Sequence, residues 1–226
     1  MLIDDVEYCS LSLHLSSDLA ITMDSPYQNL LTHNKRLRNA ISRAETEGIP
    51  AIQVSPAHGR QLSILCQLMQ AKSVLEIGTL AGYSTIWLAE SVPGIKVTSI
   101  DHNPKHRSIA EVNLRGLDNV DLRLGSALDI LPDLQASGAV FDFVLIDADW
   151  ENQHLYFDWA VKMTRKGGCI YVDNVVRKIT EGVERKDPDP QSLIEQVKGD
   201  SRVTATLLSA LGSRNVVDGY ILALVK

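Results

Sequence analysis

Apolar and polar positions follow three successive rhythms along the chain. In the first, Leu30, Leu37, Ile41 and Ala44 recur at helical spacing after Ser25-Pro26, an N-cap followed by proline at the first helical position, and Gly48 with Pro50 closes the run. Ser55-Pro56 repeats the start signal, Leu62, Leu65 and Met69 form one apolar stripe, and this second helix is expected to stop before Lys72. In the second rhythm, short apolar runs alternate with helical stretches. Ser73 to Ile77, Lys96 to Ile100, Asp121 to Leu124, Phe141 to Ile146 and Cys169 to Asp173 read as strands. Tyr83 to Glu90, Pro104 to Arg115 and Asn152 to Met163 read as helices, with Asn103-Pro104 as a cap and Gly167-Gly168 as a helix exit.

Strands alternating with helices imply an α/β fold: a doubly wound, mostly parallel sheet with helices on both faces and right-handed crossovers. After Asp173 the third rhythm begins. Residues 178–191 are polar, with KDPDP near their end; a last helix then precedes Val203 to Ala210 and Tyr220 to Val225. Their short link containing Gly212 predicts an antiparallel C-terminal hairpin closing the sheet edge, for seven strands in all. No internal repeat is visible, so the chain reads as a single domain over 1–226, with 1–72 as an N-terminal helical extension and 73–226 as the α/β core.

Composition narrows the function classes. The 226 residues are 45% apolar and 22% charged, enough for a continuous core and against disorder. Lys plus Arg is 22 against 28 for Asp plus Glu, a net charge of −6 that disfavours nucleic acid or an anionic membrane as partner. No apolar run approaches the ~20 residues of a membrane helix. Cys9, Cys66 and Cys169 make no C-x-x-C pair, so neither a disulfide framework nor a zinc site is signalled. With the acidic start MLIDDVEY, where a targeting peptide would be basic, a cytoplasmic location is expected.

Three places carry candidate chemistry. The stretch SVLEIGTLAGYS runs from a strand through Glu76, Gly78, Thr79 and Gly82 to a helix at Ser84. Glycine there allows close backbone approach, and the helix start offers free N–H groups. The spacing is not the G-x-G-x-x-G of dinucleotide folds, and Glu76 at the strand end would repel a pyrophosphate but tolerate an ammonium, which favours S-adenosylmethionine over NAD. Taken alone, the same turn also serves simply to pack a strand on a helix. Asp101, 25 residues after Glu76 at the end of the next strand, suits a ribose diol, although aspartate is equally at home as a cap. Gly125-Ser126-Ala127 supplies small residues beside which an adenine could lie. Asp147 after FDFVLI, and Asp173-Asn174 after CIYV, should emerge at the carboxyl edge of the sheet. Two carboxylates and an amide oxygen are hard donors suited to Mg²⁺ or a similar divalent ion such as Mn²⁺ or Ca²⁺, and they are also common turn formers.

LEIGTLAGYSTIWLAE, LIDADW, DNVVR and VDGYILALV together resemble the cation-dependent class I O-methyltransferases of the catechol and caffeoyl-CoA type, from about Pro50 to the C-terminus. The resemblance implies the class I methyltransferase fold. It implies that Glu76, Gly78, Thr79, Ser84, Asp101, Ala127 and Asp147 bind S-adenosylmethionine, and that Asp147, Asp173 and Asn174 bind the metal. It further implies a phenolic acceptor with two adjacent hydroxyls, and a homodimer, here with the N-terminal helices as the expected contact.

One position departs from the pattern. The family's D-A-D motif usually continues with the lysine thought to deprotonate the acceptor, whereas Asp147-Ala148-Asp149 is followed by Trp150. Three readings stand open: the metal alone acidifies the hydroxyl, His154 or Lys178 substitutes as base, or the protein binds cofactor without turnover. Trp150 itself could wall the acceptor ring or only pack. The segment before Tyr27 and residues 178–191 are further candidates for shaping the acceptor pocket. Some bacterial relatives methylate a hydroxylated tRNA uridine with the same logic, a reading that the acidic charge disfavours.

Overall fold

The computed structural model describes residues 34–176, 192–211 and 217–226. Helix α1 (Lys35–Thr46) is capped by Asn34, whose side chain accepts from the Leu37 N–H, and buries Leu37, Ala40 and Ala44. The expected start at Ser25-Pro26 lies outside the described residues. Helix α2 (Pro56–Leu68) begins as its signal implies: the Ser55 side chain accepts from the His58 N–H and proline occupies the first turn.

The core alternates β1 (Ser73–Ile77), α3 (Tyr83–Ala89), β2 (Lys96–Asp101), α4 (Pro104–Asn113), β3 (Val120–Leu124), α5 (Ala127–Ala136), β4 (Phe141–Ile146), α6 (Gln153–Met163) and β5 (Thr164–Val172). Helix α7 (Leu193–Gly199), β6 (Val203–Leu211) and β7 (Val217–Val225) follow. The seven strands form one sheet in the order β3-β2-β1-β4-β5-β7-β6. The first five are parallel, while β7 pairs antiparallel with both β5 and β6. The hairpin therefore closes the edge as expected, with the last strand inserted inside the first.

Side-chain alternation divides the core into two layers. Leu75, Ile77, Val144 and Ile146 pack under α5 and α6, whereas Val74, Phe143 and Leu145 face α2 and the layer containing Leu62 and Leu88. Because both faces are covered, β4 reads FDFVLI almost without a polar residue. Edge strand β3 is half-exposed and carries the Arg123–Asp121 ion pair, which discourages further strand addition. Cys66 and Cys169 are buried free thiols, and no helix among the described residues is long and apolar enough to cross a membrane.

Two readings are corrected. Helix α5 has no counterpart in the expected elements, because Pro132 sits inside it and breaks the usual helix signature. Gly167-Gly168 is not a helix exit: α6 ends at Met163, β5 starts at once, and both glycines lie within that strand. A Cβ at Gly168 would fall 2.8 Å from the Asp142 carbonyl oxygen, so the glycine permits close strand approach beside the register shift between Phe141 and Phe143.

Candidate active site

The carboxyl ends of the parallel strands are locked to one another by backbone hydrogen bonds. Gly78 N–H donates to Ile100 (2.9 Å), Gly125 N–H to Asp101 (3.0 Å), Asp147 N–H to Ile77 (2.9 Å) and Asp173 N–H to Ile146 (2.9 Å). The loops that follow these strands border a cavity of about 850 Å³, within the range of small-molecule sites. Gly78, Thr79, Ser84, Asp101, Ala127, Asp147, Trp150, Asp173 and Asn174 all line it. Among the site residues expected from sequence, Glu76 and His154 do not.

Glu76 stands one position before the end of β1 and, by alternation, points to the α3 side, where it is fully buried. Its carboxyl accepts from the hydroxyls of Ser84 (2.6 Å), Thr85 and Ser99. Burial, only partly offset by these donors, pushes it up to about 7. It meets the cavity through Ser84 rather than directly. Gly78 has φ +107, and a Cβ there would lie 1.9 Å from the Asp147 carbonyl oxygen. This glycine is thus required by the passage of β4, a constraint additional to ligand approach. Asn113 holds the far side of the loop by donating to the Ala81 carbonyl (2.9 Å), and Arg43 on α1 donates to the Asn113 side chain (3.0 Å).

Asp101 is buried, and its two oxygens accept from the N–H groups of Leu80 and Asn103 (both 2.8 Å), with His106 Nδ1 at 3.3 Å from one of them. These bonds fix a carboxylate at the cavity wall, and Ala127, the first residue of α5, presents only a methyl group nearby.

Asp147 and Asp173 emerge from adjacent strands. Burial raises Asp147 well above the ordinary carboxylate range, and the charges of Asp173, Glu76 and Asp218 add to this. Asp173 is also raised by burial, against the opposing influence of His58 and of the Asn174 N–H it accepts (2.9 Å). Asn174 adopts a left-handed conformation, φ +60, and its amide N–H donates to Asp218 (2.9 Å), leaving the amide oxygen as its acceptor face. Among the described residues no group of three or more His, Cys, Asp or Glu side chains forms a metal cage. The set here is instead two mutually repelling carboxylates and an amide oxygen, donors that fit a hard divalent cation and leave coordination positions open.

The aromatic and imidazole lining was largely missed from sequence. His58, Tyr83, His102, His106, Tyr156 and Asp218 all border the cavity. Asp218 is the second residue of the antiparallel strand β7, whose Ile221 pairs with the last residue of β5, so topology delivers Asp218 to Asn174. His58 sits in the first turn of α2, whose short link to β1 puts the start of the helix at the same sheet edge. His154 is half-buried on α6, and its Nδ1 has no hydrogen-bond partner among the described residues. Lys178 and Tyr27 lie outside the described residues.

The O-methyltransferase family model matches residues 26–225. A catechol O-methyltransferase of Niastella koreensis is 43% identical over 194 residues, covering 79% of this chain and 85% of the relative. A catechol O-methyltransferase of Mycobacterium tuberculosis is 38% identical over 204 residues, covering 87% and 91%. Among solved structures, an O-methyltransferase from Bacillus cereus in complex with SAH superposes with a TM-score of 0.81 at 37% identity, covering 88% of this chain and 96% of the other.

Proposed function

Since the chain belongs to the O-methyltransferase family, we propose that it transfers the methyl group of S-adenosylmethionine to one hydroxyl of a vicinal dihydroxy aromatic, of the catechol, caffeoyl or flavonoid type, with a divalent cation. The observation that carries this reading is one cavity bordered both by Gly78, Asp101 and Ala127 and by Asp147, Asp173 and Asn174. The SAH in the Bacillus cereus relative and the catechol in the names of two relatives support the donor and the acceptor class.

In this reading Asp101, held by Leu80 and Asn103, accepts from the ribose diol, and Ala127 leaves room for the adenine. Asp147, Asp173 and Asn174 hold the cation, Mg²⁺ or a similar ion. When bound, such a cation lowers the pKa of a hydroxyl and favours a pair of adjacent oxygens over a single one. Trp150 flanks the acceptor ring as an aromatic wall. Transfer is then an in-line displacement in which holding the two partners together supplies much of the rate.

Incubation with S-adenosylmethionine and a panel of mono- and dihydroxy aromatics, with and without EDTA, tests the reading. Methyl ethers should form from vicinal diols, disappear with EDTA and return with excess Mg²⁺. Product insensitive to EDTA would remove the cation, and equal turnover of monophenols would remove the diol requirement.

A further inference from the structure

Where the D-A-D motif would be followed by a basic side chain, this cavity presents Trp150, and the proton of the acceptor hydroxyl needs another destination. Most titratable groups described on the cavity wall are committed. Asp149 accepts from the Asn152 N–H (3.0 Å) and side-chain amide (2.7 Å) and from the Tyr156 hydroxyl (2.6 Å). Burial and that bond to Asp149 push Tyr156 up, and burial does the same to Tyr83. His106 faces Asp101 (3.3 Å), and His102 directly follows Asp101 in the chain.

His58 is placed differently. Its backbone N–H is fixed to Ser55 (3.2 Å), and its ring stands edge-on to Tyr220, with centroids 6.0 Å apart at 83°. Tyr220 is itself stacked on Tyr171 (4.3 Å, 16°), and its hydroxyl accepts from Gln61. The ring is thus held by packing, while its nitrogens make no hydrogen bond among the described residues. From other elements, Asp173 acts on it through space without an ion pair, Tyr220 meets it directly, and Asp218 stands two residues before Tyr220; Arg60, on its own helix, lies over Trp87. An imidazole is also the side-chain type whose ordinary titration lies nearest neutrality.

We propose that His58 is the catalytic base of this enzyme, taking the acceptor hydroxyl's proton on a ring nitrogen that has no hydrogen-bond partner among the described residues, in the cavity that Asp147, Asp173 and Asn174 also border. The inference rests on the O-methyltransferase reading above. In the step, an acceptor oxygen lone pair forms the new O–C bond, and the S–C bond breaks with its electron pair going to sulfur. The O–H pair stays on oxygen, the proton passes to His58 and later leaves to solvent, and the sulfonium charge is conserved as imidazolium.

The test uses the full chain with S-adenosylmethionine and Mg²⁺, with unsubstituted catechol as the acceptor for the rate measurements and 4-nitrocatechol, whose phenolate and phenol absorb at different wavelengths, as the dye for titration. His58→Gln and His58→Ala should lower kcat/KM roughly 10²-fold near neutral pH, with the deficit shrinking at alkaline pH where the hydroxyl ionises unaided. Both variants should keep wild-type SAH affinity and melting temperature, and 4-nitrocatechol bound with SAH should ionise at a higher pH than on the wild type. Trp150→Lys in the His58→Gln background should restore most of the neutral-pH rate. Methylation and dye titration left unchanged by both substitutions would overturn His58 alone. A wild type that binds SAH but methylates no diol would overturn the function and this inference together.

Discussion

At the scale of single residues, the site is tied to the fold by contacts that tolerate little change. Gly78 combines φ +107 with a Cβ position 1.9 Å from the Asp147 carbonyl. Gly78→Ala should therefore cost about 1–3 kcal/mol in urea denaturation and weaken SAH binding, because strain of this kind is relieved only by moving β4 away from β1. Glu76 gives a pH signature. Its carboxyl rises from an ordinary 4.5 to about 7 in the folded protein, so between those values the folded state keeps a proton that the unfolded state releases. Stability of the ligand-free protein should accordingly fall as pH rises through that window and level off above it. Asp147 and Asp173, also raised by burial, act in the same direction. Glu76→Gln should flatten part of the slope in urea midpoints measured against pH; an unchanged slope would mean that Glu76 ionises normally.

At the scale of elements, what the sequence discloses depends on whether a local pattern suffices. Strand β4 was legible because burial on both faces demands an unbroken apolar run, and α2 because Ser55 and Pro56 are a start signal in themselves. Helix α5 was not, since Pro132 removes an internal N–H and argues locally against the helix that tertiary packing of Leu131 stabilises. The glycines of β5 misled for a related reason: they mark close strand approach, which only the assembled sheet reveals. Site residues divide the same way. Asp101 ends β2, and Asp147, Asp173 and Asn174 come directly after β4 and β5, so all four could be read from strand ends. His58 and Asp218 arrive through an N-terminal helix and an antiparallel strand, and no spacing links them to the loops they face. Gly219 makes the last link testable. A Cβ there would stand 2.3 Å from the Leu208 carbonyl and 2.5 Å from Val176, blocking the β6–β7 pairing that fixes Asp218. Gly219→Ala should cost about 1–3 kcal/mol and also weaken divalent-cation binding in calorimetry. Lost stability with unaltered cation affinity would show that Asp218 does not set the orientation of Asn174.

At the scale of the whole molecule, charge and ligand linkage give the broadest checks. The net charge of −6 leaves little attraction for a polyphosphate, so tRNA should bind weakly at low salt and lose nothing specific as salt is raised. Tight, saturable tRNA binding would instead revive a nucleotide acceptor. Because the carboxylates of Asp147 and Asp173 repel one another at neighbouring strand ends, Mg²⁺ should stabilise the fold, by ~2.7 kcal/mol at a hundredfold excess over Kd. The gain should be larger at pH 8 than at pH 5, since both carboxylates must be ionised to bind, and it should vanish in Asp173→Asn. In the proposed site, residues from separate parts of the chain converge on one cation beside the methyl donor. The most direct test is an anomalous difference map of the protein crystallised with SAH, Mn²⁺ and a catechol. One manganese peak should stand at Asp147, Asp173 and Asn174, with both catechol oxygens on it and SAH along Gly78, Asp101 and Ala127. Full SAH occupancy with no peak at those three side chains, or a catechol bound away from them, would contradict this arrangement.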